Sequence, residues 1–236
     1  MIQSSQKDSI LTLTLNRPEK YNSFTEPMAL KLQEALKEAG QNEEVRCVVL
    51  RANGKAFCAG QDLPEVVERA ENEPDYELAD TVLTTYNPII RTIRSLEKPV
   101  ICAVQGTAAG AGANIAFACD IVIASDQAVF VQAFSKIGLI PDSGGTFFLP
   151  RLAGLARTNT LYLLDEKLSA QKAAEWGLIY KAVDHTDLES EVNDVAQKLA
   201  SMPTKGFGLY KRAVNRSFDH TLEQQLNLDA DLQSEA

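Results

Sequence analysis

PVICAVQGTAAGAGANIAFACD, residues 99–120, decides how this chain is read. Val100–Val104 is an unbroken apolar run, the pattern of a strand buried on both faces. Glycines follow at Gly106, Gly110 and Gly112, and Ala111 to Ala118 is small and helix-compatible. A buried strand that turns through glycine into a helix leaves unpaired backbone N–H groups at one point. Such a point holds negative charge, on a ligand or in a transition state. Three readings share the pattern: close helix–sheet packing, a dinucleotide-binding turn, or another anion site. A dinucleotide turn belongs after the first strand of its unit, and no tyrosine of this chain has a lysine four residues on, as a short-chain dehydrogenase needs.

Outward from this stretch, periodicity predicts strands at 10–15, 47–50, 121–124, 129–132 and 178–183. Thr25 is placed to cap a helix reaching about Ala39, with Pro27 in its first turn and Gly40 just past its end. Helical spacing runs over 81–96, interrupted at Pro88, and over 168–176, capped at Ser169 and stopped by Gly177. Residues 64–77 are acidic and read as a mobile helix or loop, with Glu65, Glu68, Glu71, Glu73 and Glu77 as a solvated face. From Leu188 onward the pattern is helical throughout. Strands with helices to 183, then helices alone, describe an α/β core with a helical C-terminal region, divided as 1–185 and 186–236. Two units look alike: a buried strand followed by a glycine-bearing loop, at 47–62 and at 100–112.

A chain of 236 residues with 45% hydrophobic and 23% charged residues has the composition of a globular protein with a sizeable core. Its net charge of −9 argues against a nucleic-acid surface. Cys47, Cys58, Cys102 and Cys119 form no CxxC pair and read as thiols of a reducing compartment, not as a disulfide frame or metal site. With no leader pattern and no apolar run of about 18 residues, the expected location is the cytoplasm, away from membranes.

Asp142-Ser143-Gly144-Gly145 imitates a serine-protease nucleophile segment, but a triad needs a base. The two histidines, His185 and His220, both follow the serine in polar contexts. Asp142 follows Pro141 and is flanked by Ile137, Leu139, Ile140 and Phe147. It reads either as a turn aspartate or as a carboxylate at the mouth of an apolar pocket, desolvated and usable as a proton shuttle. Asp120 reads as a cap between helix and strand, and Asp62 as a turn former. Trp176 reads as a core plug.

Four ordered motifs between about residues 8 and 228 resemble the crotonase, or enoyl-CoA hydratase/isomerase, superfamily. Asn16-Arg17-Pro18-Glu19-Lys20-Tyr21-Asn22-Ser23 is similar to the family's N-R-P-x-x-x-N-[AS] opening. Gly54 to Leu63, GKAFCAGQDL, is similar to its G-x-x-F-[CAS]-[AS]-G-x-D-[LI] loop. Lys98-Pro99-Val100 to Asp120 is similar to its strand–helix, and Gly138 to Gly145, GLIPDSGG, to its G-[LI]-x-P-x-x-G-[GA] turn.

The resemblance implies a crotonase-like spiral of ββα units and a C-terminal helical region that builds homotrimers or dimers of trimers, followed in the family by a further helix beyond residue 236. It implies an acyl-CoA substrate whose thioester carbonyl lies in an oxyanion hole, here the backbone N–H groups of Gln61 and Ala111. Arg17, Lys20, Tyr21, Ala59, Gly60, Asp62, Leu63 and Gly110 would border CoA, with Arg17 and Lys20 meeting phosphates. No metal and no separate cofactor is expected, CoA being part of the substrate. Hydratases of the family use two glutamates, and Asn114 and Phe134 stand at those positions. A variant of the family's isomerases has an aspartate where Asp142 stands, which makes Asp142 the catalytic candidate. Pro141 to Thr146 resembles the branch that isomerises ring-1,2-epoxyphenylacetyl-CoA in phenylacetate catabolism. The alternatives are an enoyl-CoA hydratase and a non-catalytic CoA- or RNA-binding member.

Overall fold

The computed structural model describes every residue, Met1–Ala236. The larger of two sheets runs in the order β1 (Ile2–Lys7), β2 (Ile10–Leu15), β3 (Cys47–Ala52), β5 (Val100–Val104), β7 (Ile121–Ser125), β10 (Lys181–Val183). The smaller runs β4 (Ala56–Cys58), β6 (Thr107–Ala109), β8 (Val129–Val131), β9 (Leu168–Ser169). Three successive units, β3–β4, β5–β6 and β7–β8, each give one strand to each sheet, all in parallel pairing. This is the spiral of ββα units that the family resemblance implies, and the two look-alike stretches are two of its turns.

The helices are α1 (Glu26–Gln41), α2 (Leu63–Asn72), α3 (Leu78–Thr81), α4 (Asn87–Ser95), α5 (Ala111–Ala118), α6 (Gly145–Ala153), α7 (Leu155–Leu163), α8 (Ala170–Glu175), α9 (Leu188–Ser201), α10 (Thr204–Arg216) and α11 (Leu222–Glu235). None is long and apolar enough to cross a membrane.

The apolar runs of β3, β5 and β7 are explained by burial on both faces of the large sheet. Val48, Leu50, Val100, Cys102, Val104, Val122 and Ala124 join the main core with α1, α4 and α5. Their neighbours Cys47, Val49, Ile101, Ala103 and Ile123 pack on the other face against Leu188, Val192 and Ala196 of α9. α9 is therefore part of the core, and the break expected at 185/186 is not a packing boundary.

One strand is added to those read from the sequence, and two local expectations are corrected. β1 is a strand although its sequence, IQSSQK, is polar, because it is an edge strand that buries only Ile2. Helix α1 runs through Gly40 to Gln41, and Thr25 stands at its start without a side-chain cap. The break near Pro88 falls earlier, as a π turn over Val82–Tyr86 between α3 and α4. Pro88 has no N–H to give Thr84 O, and Gln33 Nε2 of α1 supplies donors instead, at 2.8 Å to Thr84 O and 2.9 Å to Thr85 O.

Helix α10 is fastened through a buried lysine. Lys211 Nζ donates to Ile93 O (3.0 Å), Lys98 O (3.0 Å) and Asp120 Oδ2 (2.7 Å), so all three of its protons are used. Burial pushes its ammonium down and Asp120 opposes that shift. Asp120 also accepts from Val100 N–H at 2.8 Å and from Arg94 at 3.4 Å, so it joins strand, helix and α10 rather than merely capping. Asp120→Ala would strand the buried ammonium, and the expected loss of stability in urea denaturation is about 3–5 kcal/mol. A loss below about 1 kcal/mol, the range of an exposed pair, would show that this ion pair does not hold α10.

Candidate active site

Pairing of β4 with β6, Ala56 opposite Thr107 and Cys58 opposite Ala108, lays the first glycine loop against the start of α5. The fit is backbone on backbone. A Cβ at Gly112 would stand 2.6 Å from Cys58 Cβ and 2.7 Å from Cys58 O. A Cβ at Gly60, whose φ is +90°, would stand 3.0 Å from Ala109 O and 3.7 Å from Ala111 N.

This approach brings two unused amides together. Phe24 N–H donates to Gly60 O at 2.7 Å, and Phe24 O accepts from Asp62 N–H at 2.8 Å. The bridge uses the residues on either side of Gln61 and leaves the Gln61 N–H without a backbone acceptor. Ala111 is the first residue of α5, where an amide has no acceptor one turn back.

A cavity of about 160 Å³ collects these groups. Of the residues singled out from the sequence, Ala59, Gly60, Gln61, Leu63, Gly110, Ala111 and Asp142 line it; Arg17, Lys20, Tyr21 and Asp62 do not. Phe134, Leu139, Val66 and Leu78 make most of the remaining wall apolar.

Asp142 is the one carboxylate in that lining. Burial pushes its carboxyl above the usual range, opposed by the Ser143 hydroxyl, which donates to Oδ1 at 2.8 Å. That bond also disposes of the protease-like reading, since Ser143 is buried and its proton serves Asp142. Asn114 is fully buried on α5 and donates from Nδ2 to Asp142 O at 2.9 Å, while accepting from Gln132 Nε2 at 3.2 Å. It holds the aspartate's loop in place. Phe134 is apolar wall.

Arg17 and Asp62 pair with each other outside the cavity, and Asp62 keeps the turn-forming part read from the sequence. The Arg17 guanidinium donates to Asp62 Oδ2 at 2.5 Å and to Ser23 O and Oγ at 3.1 Å. Asp62 also accepts from Ser23 Oγ and from the Glu65 amide, capping α2. Burial pushes the Asp62 carboxyl up, and these bonds together bring it below its usual range. The pair therefore ties the opening turn to the first glycine loop, and Arg17 is corrected from phosphate contact to internal brace. Asn22 adds to the tie through Nδ2, bonded to Asn53 O (2.8 Å) and Ala56 O (2.9 Å). Lys20 and Tyr21 are exposed beside it. Glu65 leaves the solvated acidic face: it accepts from the Glu26 amide at the start of α1 and from Gln61 Nε2.

Tyr86 and Gln132 line the cavity too, and sequence reading missed both. Within the helical spacing over 81–96, Tyr86 falls in line with Val82, Ile89 and Ile93 as an apolar position, and only its hydroxyl signals a further role. No three His, Cys, Asp or Glu side chains cluster as a metal site would require. The four cysteines are free and buried, and burial pushes the Cys47 and Cys58 thiols to about 12.

With fold and site in view, the chain belongs to the enoyl-CoA hydratase/isomerase family, whose sequence profile matches residues 5–236. Among individual relatives, it is 48% identical over 233 residues to the 1,2-epoxyphenylacetyl-CoA isomerase of Escherichia coli, covering 98% of this chain and 88% of that protein. It is 36% identical over 226 residues to the trans-2-decenoyl-acyl-carrier-protein isomerase of Streptococcus mutans, covering 96% and 86%. The crystal structure of an enoyl-CoA hydratase from Polaromonas sp. JS666 matches with a TM-score of 0.91 at 34% identity, covering 99% of this chain and 90% of that one.

Because the loop meets the helix backbone to backbone, Gly112→Ala is expected to lower stability in denaturant titration by about 1–3 kcal/mol. Gly206→Ala is the control. That site is in α10 with nothing within 4 Å of a built Cβ, and alanine there is expected to be neutral or stabilising by up to about 1 kcal/mol. Equal effects at both sites would contradict the contact.

Proposed function

We propose that this chain is a CoA-thioester isomerase that works by one-base proton transfer. The observation that carries the reading is a single cavity holding two unpaired amides, Gln61 and Ala111, and one desolvated carboxylate, Asp142. The thioester oxygen accepts from both amides, which acidifies the α-carbon. One such donor is worth about 10²–10³ in rate. Asp142 takes the proton at one carbon and returns it at another, so a double bond shifts with no water added. Asn114 and Phe134 support this against hydration, since neither can position and activate a water as a glutamate does.

For the acyl group we propose ring-1,2-epoxyphenylacetyl-CoA, rearranged to the oxepin. The name and 48% identity of the Escherichia coli relative favour it. The chemistry is redox-neutral and calls for neither metal nor redox cofactor. Lys20, Tyr21, Ala59, Gly60, Leu63 and Gly110 border the CoA, with Lys20 free to meet a phosphate. Leu155, Leu163 and Leu164 are exposed on and just after α7 and favour assembly into trimers or paired trimers. The buried free thiols favour a cytoplasmic setting.

Asp142→Asn tests the reading. Isomerisation of a 3-enoyl-CoA is expected to fall by about 10²–10⁴, and activity within threefold of wild type would overturn the shuttle. Melting should be no lower than wild type, because burial already disfavours the Asp142 charge. Hydration of a 2-enoyl-CoA outrunning isomerisation would favour the hydratase alternative, and a mobility shift with RNA the binding one.

The pH profile supplies a second check. Asp142 acts as base only when ionised, so kcat/KM rises with pH through its elevated pKa. Ser143→Ala removes the bond that favours the carboxylate. The acid limb should then move to higher pH, and an unmoved or lowered limb would assign it to another group.

A further inference from the structure

The Gln61 side chain is held at both ends. Its Oε1 accepts from the Tyr86 hydroxyl, and its Nε2 donates to Glu65 Oε2 at 3.3 Å. Tyr86 is 2% exposed, and its ring meets Phe24 edge-on, 6.0 Å between centroids at 89°. Phe24 is the residue whose backbone bridges Gly60 and Asp62. Tyr86 therefore grips the Gln61 segment twice, by hydrogen bond on the side chain and by ring packing on the bridge.

Its direction is set by the π turn that ends on it. A π turn adds a residue to a helical turn and re-aims the side chains at its end, and such turns concentrate at functional sites. Gln33 keeps this one open by bonding Thr84 O and Thr85 O. Burial pushes the Tyr86 phenol well above its ordinary value, so the hydroxyl stays a donor at any working pH.

We infer that Tyr86 is a positioning residue of the oxyanion hole: through the Gln61 side chain it keeps the Gln61 amide aimed at the thioester oxygen. The inference rests on the function proposed above. Without the hydroxyl, the Gln61 amide oxygen has no partner in a mostly apolar cavity, and the side chain leaves its place and turns the peptide with it. Small misplacements of this kind are costly for rate.

Tyr86→Phe is the test, because it keeps the ring and its contact with Phe24. The expected result is a fall in kcat of about tenfold, with KM and melting temperature close to wild type. Gln61→Met keeps the backbone amide but removes the acceptor. In that background Tyr86→Phe should cost nothing further, and multiplicative losses would overturn the inference. Gln33→Leu, which frees the π turn, should lower kcat in the same direction.

Infrared spectroscopy of bound butyryl-CoA, which has no double bond to shift, gives a readout independent of turnover. The thioester carbonyl stretch should move to lower frequency on wild type and by less on Tyr86→Phe. An equal shift on both proteins overturns the positioning role and leaves the oxyanion hole standing. No shift on wild type overturns the oxyanion hole, and the positioning role with it.

Discussion

The backbone contact between the two glycine loops is the constraint on which the site depends. Gly112 leaves no room for a side chain against Cys58, and Gly60, held at φ +90°, stands close against Ala109 O. The contact follows from the topology: β4 and β6 are neighbours in the small sheet, while β3 and β5, which precede them, are neighbours in the large one. Two copies of one strand–loop design thus stand side by side, and each contributes one unused amide. The backbone contact brings this pair together, and the Gln61 side chain, held by Tyr86, steadies one of the two. Donors fixed before the reaction are the effective kind, since nothing has to reorganise as charge develops.

The groups facing those amides are chemically sparse. Two positions that could carry acids hold Asn114 and Phe134, and both serve Asp142 indirectly. Asn114 fixes the loop by its bond to Asp142 O, and Phe134 keeps the wall apolar. Desolvation then raises the aspartate's pKa toward the range where a carboxylate can both take and return a proton. The Ser143 hydroxyl, donating to Oδ1, opposes the rise. The cavity thus offers one carboxylate and two backbone donors, the set on which the proposed proton transfer is built.

The four motifs were legible because each is made of residues that only one backbone arrangement tolerates: glycine where loops touch, proline where a turn starts, asparagine where a side chain substitutes for backbone. Alternation and apolar runs marked β2, β3, β5 and β7 for the same local reason. The rest depends on partners distant in sequence. Nothing in IQSSQK announces an edge strand until β2 is there to pair with it. The α9 pattern reads as one more amphipathic helix until the second face of the sheet is seen to be apolar. Arg17 has the charge of a phosphate contact, and only the position of Asp62, 45 residues away, shows that the charge is internal. Tyr86 is the sharpest case, since a π turn is invisible to a 3.6-residue period and re-aims the residue at its end.

The segment that carries Tyr86 also links the site to the C-terminal helices. At one end Tyr86 holds Gln61; at the other, Arg94 on α4 bonds Asn215 of α10 at 2.7 Å and Asp120 at 3.4 Å. Asn215 Nδ2 answers with a bond to Arg94 O at 2.9 Å, and Lys211 reaches past it to Ile93 O and Asp120. A helix pinned at both ends cannot slide along its axis without breaking buried polar contacts at one of them, and each broken contact leaves a group unsatisfied. The docking of α10 and the aim of the Gln61 amide therefore share one mechanical element. Its wide turn, propped by Gln33, is the place where that element would give.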